Sequence, residues 1–216
     1  MFDLGDGRVL RRYRTPAEVE WEGDLMRFLS QRGYPVPAVH DASGRDLVID
    51  RVPGPTMLAA VAARPWRVRR YGRLLADLHR QLHAIPAPEW AAPRLGGGSS
   101  VVHMDLHPMN VLLSPGGPIV IDWSNAGAGR AASDVVYAYV LMATASGTAV
   151  AGRARPAMVV RRAFLSAFQA PFHPDDLSAE LPAAVERWLS DPNSRPEERA
   201  AARRLLREDP FRPTTS

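Results

Sequence analysis

Apolar residues recur at the spacing of an α-helix near the N-terminus. The stripe consists of Trp21, Leu25, Phe28 and Leu29. Residues three or four apart share one face of a helix, so this segment has one side that packs against a core. Thr15 and Glu18 form a capping box around Pro16, and Gly33 supplies a stop. The pattern predicts one helix between the first strands.

Short apolar runs predict strands on both sides of that helix and again in the middle of the chain. Bounded by turn residues, such runs are typical of strands rather than helices. Ser114 to Gly117 reads as the turn of a hairpin between the last two runs. The predicted strands are Arg8 to Tyr13, Val36 to His40, Asp46 to Val52, Val101 to Val102, Val111 to Leu113 and Ile119 to Ile121.

Helical spacing dominates after the break at Pro53 and Gly54. One helix follows from the recurrence of Tyr71, Leu74, Leu75, Leu78, Leu82 and Ile85. Further helices are predicted from Asp134 to Ala145, Val159 to Phe168, Leu181 to Leu189 and Pro196 to Glu208. Together with the strands, these helices predict an α+β protein.

Two carboxylates and a carboxamide surround the predicted hairpin. Asp105 and Asn110 bracket one loop, and Asp122 ends the returning strand. Oxygen ligands of this kind suit Mg²⁺ held against phosphate groups. Asp105 can orient an acceptor hydroxyl and take its proton, while Asn110 and Asp122 hold the metal. The segment therefore points to phosphoryl transfer.

The spacing His-x-Asp-x-x-x-x-Asn from His103 to Asn110, followed by Ile-Asp-Trp at Asp122, resembles a known signature. It is that of the aminoglycoside phosphotransferase and choline kinase-like family, which is related to protein kinases. The resemblance implies that Asp105 is the catalytic base, that Asn110 and Asp122 bind Mg²⁺, and that His103 supports the loop. Asp134 resembles the family's Asp that braces this loop from the start of a buried helix.

The same resemblance assigns a nucleotide site in the first part of the chain. Kinases generally use a Lys to contact the α and β phosphates, paired with a Glu. This chain has no Lys, so we expect Arg11 in that place. At about 100° per residue Glu22 falls about 20° from Leu29, on the apolar face, so Glu22 is expected to pair with Arg11. The interlobe hinge that binds adenine through backbone groups would include Asp50 and Val52.

The expected architecture is a protein kinase-like bilobal fold. Its reduced N-terminal lobe would comprise residues 1–53, with strands and one helix, and its helical C-terminal lobe residues 54–216. A complete small lobe of this family begins with two strands joined by a Gly-rich phosphate loop, and only Met1 to Gly7 precede the strand of Arg11. We therefore expect that loop to be lacking, through truncation, a start assigned too late, or a degenerate form with impaired activity.

The expected reaction moves the γ-phosphoryl group of ATP or GTP to a hydroxyl of a small molecule, aminoglycoside-like or other, with Mg²⁺. Antibiotic resistance is one function that such an activity would serve. A catalytically impaired kinase-like binding protein is the alternative. A third is a metallohydrolase, because His103, Asp105 and His107 would share a face if they lay on a strand. Pro108 argues that they lie on a loop instead.

Composition fits an ordinary globular protein. The chain has 216 residues, 46% hydrophobic and 23% charged, and no Cys. No basic segment followed by an apolar core opens the sequence, so we expect a cytoplasmic protein. The net charge of +4 is spread along the chain, which gives no reason to expect nucleic acid or membrane as a partner.

A group of acidic residues near the C-terminus is expected to be a solvated face rather than a site for acceptor amino groups. It comprises Asp175, Asp176, Glu180, Glu186 and Asp191.

Overall fold

The structure, a computed structural model, describes residues 1–13, 19–94, 97–145, 154–192 and 194–212. It divides into two compact units. The first unit comprises residues 1–60 and 108–126, and the second comprises residues 61–107 and 127–216. The predicted lobe boundary at residue 53 stays a prediction. The capping box at Thr15 to Glu18 lies outside the described residues.

Eight strands and seven α-helices are found in the described part of the chain. The strands are β1 (Phe2–Asp3), β2 (Arg8–Arg12), β3 (Val39–Ser43), β4 (Asp46–Asp50), β5 (Ser100–Val102), β6 (Val111–Ser114), β7 (Gly117–Val120) and β8 (Gly127–Gly129). The helices are α1 (Val19–Gln31), α2 (Met57–Ala63), α3 (Val68–His83), α4 (Ala131–Thr144), α5 (Ala154–Gln169), α6 (Pro174–Leu189) and α7 (Pro196–Glu208). A short 3₁₀ helix at Pro65–Arg67 precedes α3.

The first unit is built on a four-stranded antiparallel sheet in the order β1-β2-β4-β3. In β4 the residues Leu47 and Ile49 are buried and alternate with more exposed neighbours, as expected when one face of a sheet is covered. Helix α1 covers it and buries Val19, Leu25, Met26 and Leu29. A Cβ on Gly23 would lie 2.5 Å from the Ala42 Cβ, so a glycine is what lets α1 approach β3.

The hairpin of β6 and β7 completes the first unit. Its strands pair from Val111 with Val120 to Ser114 with Gly117, which leaves a two-residue turn. The Leu113 N–H donates to the Pro55 carbonyl at 2.9 Å. Gly54 has a φ of 124°, and a Cβ there would lie 2.2 Å from the Leu113 carbonyl oxygen. The chain therefore needs a glycine where it leaves β4 and passes the hairpin.

Helices form most of the second unit. Helix α3 packs against α5, α4 packs against α6 and α7, and β5 pairs with β8. Helix α4 buries every residue from Ser133 to Val140, which explains why the helix has no charged residue after Asp134. Among the described helices, none is long and apolar enough to cross a membrane.

The α+β, kinase-like fold class predicted from sequence is confirmed. Strand β3 begins at Val39 rather than at Val36, because Pro35 and Pro37 have no N–H to donate to a neighbouring strand. Helix α6 begins seven residues earlier than predicted, at Pro174. The short elements β1, β8 and α2 were not predicted.

Candidate functional site

In the first unit, Arg11 lies against two carboxylates. Its Nη1 is 2.8 Å from Asp122 Oδ1 and 3.5 Å from Glu22 Oε1. Strand β2 carries Arg11, α1 carries Glu22, and Asp122 follows β7. Burial alone would lower the pKa of the Arg11 guanidinium, but the charges of both carboxylates outweigh it and raise that pKa. These three predicted residues therefore form one charged cluster, which we call the Arg11 cluster.

Glu22 is the buried member of the Arg11 cluster, with a relative exposure of 2%. The Trp123 N–H donates to its Oε1 at 3.1 Å, and the Tyr13 hydroxyl donates to its Oε2. Burial raises the pKa of Glu22, while the Tyr13 hydrogen bond and the Arg11 charge oppose the rise. Burial and the Glu22 carboxylate raise the pKa of Tyr13, which keeps its hydroxyl a donor. Two hydrogen-bond donors and the charge of Arg11 therefore fix the orientation of this carboxylate.

Tyr13 was not predicted as part of the site. A signal for it was present, because residues two apart on a strand share a face, and Tyr13 follows Arg11 by two. The Arg11 guanidinium carbon lies 4.7 Å from the centre of the Tyr13 ring, a cation–π distance. The ring thus holds Arg11 from one side while the carboxylates hold it from another.

Asp122 has a φ of 67°, in the left-handed region that few non-glycine residues adopt. The Ser124 hydroxyl donates to Asp122 Oδ1 at 3.0 Å. The Ile121 N–H donates to the Asn110 carbonyl at 3.0 Å, so Asn110 is adjacent to the backbone that leads into Asp122. The backbones of the two residues are thus neighbours, and a side-chain amide oxygen and a carboxylate are ligand types that suit a hard cation such as Mg²⁺.

A cavity of about 400 Å³ opens beside the two predicted hinge residues, Asp50 and Val52. The N–H of Asp50 donates to the Ala38 carbonyl at 3.0 Å, and His40 Nε2 lies 2.7 Å from Asp50 Oδ1. The cavity is lined by Gly7, Val36, Pro37, Asp50, Arg51, Val52, Pro53, Ser114, Pro115, Gly116 and Ile119. Its lining combines apolar residues with a few polar and charged ones, as small-ligand sites commonly do.

In the second unit, Asp134 holds the backbone before Asp105. Its Oδ2 accepts the His103 N–H at 3.1 Å, and its Oδ1 accepts the Met104 N–H at 2.7 Å. Met104 has a φ of 60° and is buried. A strained residue persists only where its surroundings fix it, and the Asp134 carboxylate does so here. Residues 103 and 104 are thus clamped from the start of α4.

Two histidines of α3 complete the surroundings of Asp134. His83 Nε2 lies 2.8 Å and His79 Nδ1 3.5 Å from Asp134 Oδ2. Burial would raise the pKa of the Asp134 carboxyl, but both histidines hold that pKa well below its usual range. His79 and His83 are four residues apart and so lie on one face of α3, which is the signal in the sequence that they act on the same partner.

Asp105 and His107 lie together, with His107 Nε2 3.3 Å from Asp105 Oδ1. The metallohydrolase hypothesis needs these two residues to share a metal with His103. Among the described residues, one group of three has ligand atoms close enough for a metal, and it is His79, His83 and Asp134. That group includes neither Asp105 nor His107, so the geometry gives the hypothesis no support.

Glu180 departs from the solvated face expected of the acidic residues. It is buried on α6, where Arg130 Nη1 lies 2.8 Å from its Oε1 and the Ser133 hydroxyl donates to its Oε2 at 2.6 Å. These contacts tie α6 to the residues just before Asp134. Asp175 and Glu186 are exposed, as the solvated-face interpretation requires.

His83 gives the second unit a stability that depends on pH. Burial lowers its pKa below the ordinary value of 6.5, although the Asp134 carboxylate opposes this. The unfolded chain therefore binds a proton more readily, so this contribution is present above about pH 6.5 and is lost as the pH falls through the lowered pKa. We expect the urea midpoint to fall below about pH 6.5, and to fall less in His83→Gln, which can still donate to Asp134.

Urea titrations monitored by circular dichroism at several pH values provide the measurement. His173→Gln is the control, because the His173 side chain is 67% exposed, and it should follow the unmodified protein. If the urea midpoint of His83→Gln falls with pH as steeply as that of the unmodified protein, His83 is not the source of this pH dependence.

Comparison with known proteins identifies the family. The model of the phosphotransferase enzyme family APH matches residues 2–96 and 87–167. The search of curated proteins found no match. Among solved structures, the aminoglycoside phosphotransferase APH(3'')-Id from Streptomyces rimosus, in complex with ADP and streptomycin, is 17% identical with a TM-score of 0.57, over 82% of this chain and 85% of that one.

Two further structures support the same fold. Ethanolamine kinase from Plasmodium vivax is 11% identical with a TM-score of 0.57, over 94% of this chain and 77% of that one. APH(2")-IIa in its gentamicin complex is 15% identical with a TM-score of 0.59, over 85% of this chain and 76% of that one. With the family match spanning most of the sequence, this chain belongs to the phosphotransferase enzyme family APH.

Proposed function

We propose that this phosphotransferase moves the γ-phosphoryl group of ATP or GTP to a hydroxyl of a small molecule, with Mg²⁺ as cofactor. The observation that carries the proposal is the Arg11 cluster, in which a cation lies between a buried Glu22 and the predicted metal ligand Asp122. In kinases a basic residue paired with a Glu contacts nucleotide phosphates, and an Asp holds the metal.

The nucleotide base is assigned to the cavity at Asp50 and Val52. A volume of about 400 Å³ accommodates a purine ring, and the neighbouring prolines, Val36 and Ile119 supply apolar contact. Backbone groups of the hinge bind the base edge. Among the described residues, none forms a hydrogen bond with the Val52 backbone, so its N–H and C=O are suited to this contact.

Asn110 and Asp122 would hold the metal, which supplies charge neutralisation at the β and γ phosphates. Arg11 contacts the phosphates as a guanidinium fork. Glu22 positions Arg11, and Tyr13 and Trp123 in turn position Glu22. These residues bind and orient the donor nucleotide.

Asp105 accepts the proton of the acceptor hydroxyl. The hydroxyl oxygen forms a bond to the γ phosphorus, and the bond from that phosphorus to the β–γ bridging oxygen breaks. ADP or GDP leaves with the electron pair. Asp134 and His103 support the loop so that the Asp105 carboxylate faces the acceptor.

Calorimetry and an acceptor screen test the proposal. Calorimetry should show ATP or GTP binding that strengthens with Mg²⁺. The acceptor set should contain streptomycin, gentamicin and ethanolamine, because similar structures are complexes with the first two compounds or a kinase of the third. Phosphorylated product should appear with at least one hydroxyl compound. Binding without turnover would favour the impaired relative, and absence of both would refute the proposal.

Antibiotic resistance and a cytoplasmic location belong to the same proposal, because ATP and GTP are abundant in the cytoplasm. If an aminoglycoside is the acceptor, expression in a sensitive bacterium should raise the inhibitory concentration of that compound. An Asp105→Asn version should not raise it.

Arg11 is expected to be needed for nucleotide affinity. Arg11→Ala removes the phosphate contact and leaves the Glu22 carboxylate without its guanidinium, so we expect nucleotide affinity to fall roughly tenfold or more. Arg11→Lys should lose less, because it keeps a positive charge, but it lacks the fork of donors. Calorimetric Kd values with Mg²⁺ measure this, with exposed Arg27→Ala as the control. Unchanged affinity in Arg11→Ala would contradict the role.

A further inference from the structure

The loop that carries Asp105 is held on both sides of that residue by buried groups. On the N-terminal side, the Asp134 carboxylate accepts the N–H groups of His103 and Met104. On the C-terminal side, His79 Nε2 lies 3.2 Å from the carbonyl oxygen of Leu106, the residue directly after Asp105. The contact between His79 and Leu106 has no role in the proposed reaction.

The chemistry of the partners assigns the proton in this contact. A carbonyl oxygen can only accept, so Nε2 of His79 carries the hydrogen and donates it to Leu106. Both residues are fully buried, so loss of this donor carries the cost of leaving a buried carbonyl without a hydrogen-bond partner.

The His79 ring is held in place by its surroundings on α3 and α5. The Phe168 ring packs edge-on at 5.2 Å between centroids, and the His83 ring at 5.5 Å. The other ring nitrogen, Nδ1, faces Asp134 Oδ2 at 3.5 Å. The same imidazole therefore spans from the carboxylate that clamps residues 103 and 104 to the carbonyl of residue 106.

We propose that His79 is a positioning residue for phosphoryl transfer, because its Nε2 hydrogen bond to Leu106 fixes the backbone on which the Asp105 carboxylate is carried. The proposal rests on the proposed function. His79 touches no reactant, and it acts on the orientation of Asp105. A misplacement of about 1 Å in a catalytic group can cost roughly 10²-fold in rate.

Two substitutions separate the hydrogen bond from simple packing. In His79→Gln the side-chain amide nitrogen falls near the position of Nε2 and can still donate to Leu106. In His79→Asn the amide nitrogen falls near Nδ1 and does not reach that carbonyl. His173→Gln on the surface is the control.

We expect His79→Asn to lower kcat about tenfold or more with the nucleotide KM within about twofold. His79→Gln should stay within about threefold of the unmodified enzyme, and His173→Gln should be unchanged. Amide hydrogen exchange provides a readout besides activity: residues 104–107 should exchange faster in His79→Asn and at the unmodified rate in His79→Gln.

Several results would overturn the proposal. One is equal kcat in the two His79 variants when rates are normalised to folded protein. Another is a loss in His79→Asn that lies in the nucleotide KM. A third is zinc that copurifies with the enzyme and is lost with His79, because the group then is a metal site. An unmodified enzyme with no turnover refutes the proposed function itself, and this inference with it.

Discussion

Asp105→Asn is expected to lower kcat by about 10²- to 10⁴-fold while leaving the affinity for Mg²⁺ and nucleotide nearly unchanged. The amide cannot take the proton of the acceptor hydroxyl. The residues proposed to bind nucleotide and metal, Arg11, Glu22, Asn110 and Asp122, remain. Asp122→Asn is expected to act differently, since it removes a carboxylate from the proposed metal ligands. It should weaken Mg²⁺-dependent nucleotide binding itself.

The two variants are compared by calorimetry with nucleotide and Mg²⁺, and by steady-state phosphorylation of the acceptor found in the screen. Asp24→Asn is a matched control, because Asp24 is an exposed carboxylate on α1 that pairs with Arg27 at the surface. A fall in nucleotide affinity of the same size in Asp105→Asn and Asp122→Asn would refute the division of roles.

Asp134→Ala is expected to lower the free energy of unfolding by about 3–5 kcal/mol, because each buried hydrogen-bonding group left without its partner costs about 1–3 kcal/mol. The substitution leaves the N–H groups of His103 and Met104 without their acceptor and removes the carboxylate beside His83. The strained φ of Met104 then has nothing to fix it, so kcat should fall in the fraction that still folds.

Urea denaturation followed by circular dichroism measures the loss of stability at neutral pH. The matched control is Asp175→Ala, whose side chain is 90% exposed in the first turn of α6. This control should lose no more than about 1 kcal/mol. A similar small loss in Asp134→Ala would show that the carboxylate does not hold the loop.

Local sequence patterns predicted the structure correctly where one face of a helix or strand is buried against its own unit. The stripe of α1 placed Leu25, Leu29 and Glu22 on the inner face, and all three are buried. The turn at Ser114 to Gly117 fixes the register of β6 with β7. With a two-residue turn, Ser114 must pair with Gly117, and all other pairs follow. Helix α7 begins and ends at the predicted residues, Pro196 and Glu208.

Contacts between distant residues could not be read from local pattern. The Trp123 N–H that holds Glu22 comes from 101 residues away, and the donor is a backbone group present in any residue but proline. The hydrogen bonds of His79 and His83 depend on how α3 lies beside the loop of Asp105 and beside α4. The left-handed φ of Met104 carries no residue-type signal. That of Asp122 carries only a weak one, because Asp adopts this region more often than most non-glycine residues.

The first unit is assembled from two stretches of sequence, residues 1–60 and 108–126. During synthesis, Glu22 leaves the ribosome 101 residues before Trp123, an interval of roughly 5–20 s at usual elongation rates. Until the second stretch follows, Glu22 lacks its Trp123 donor and the Pro35 carbonyl lacks its Val120 donor. Aggregation of the nascent chain competes with folding in that interval, so expression yield should depend on chaperone supply and growth temperature.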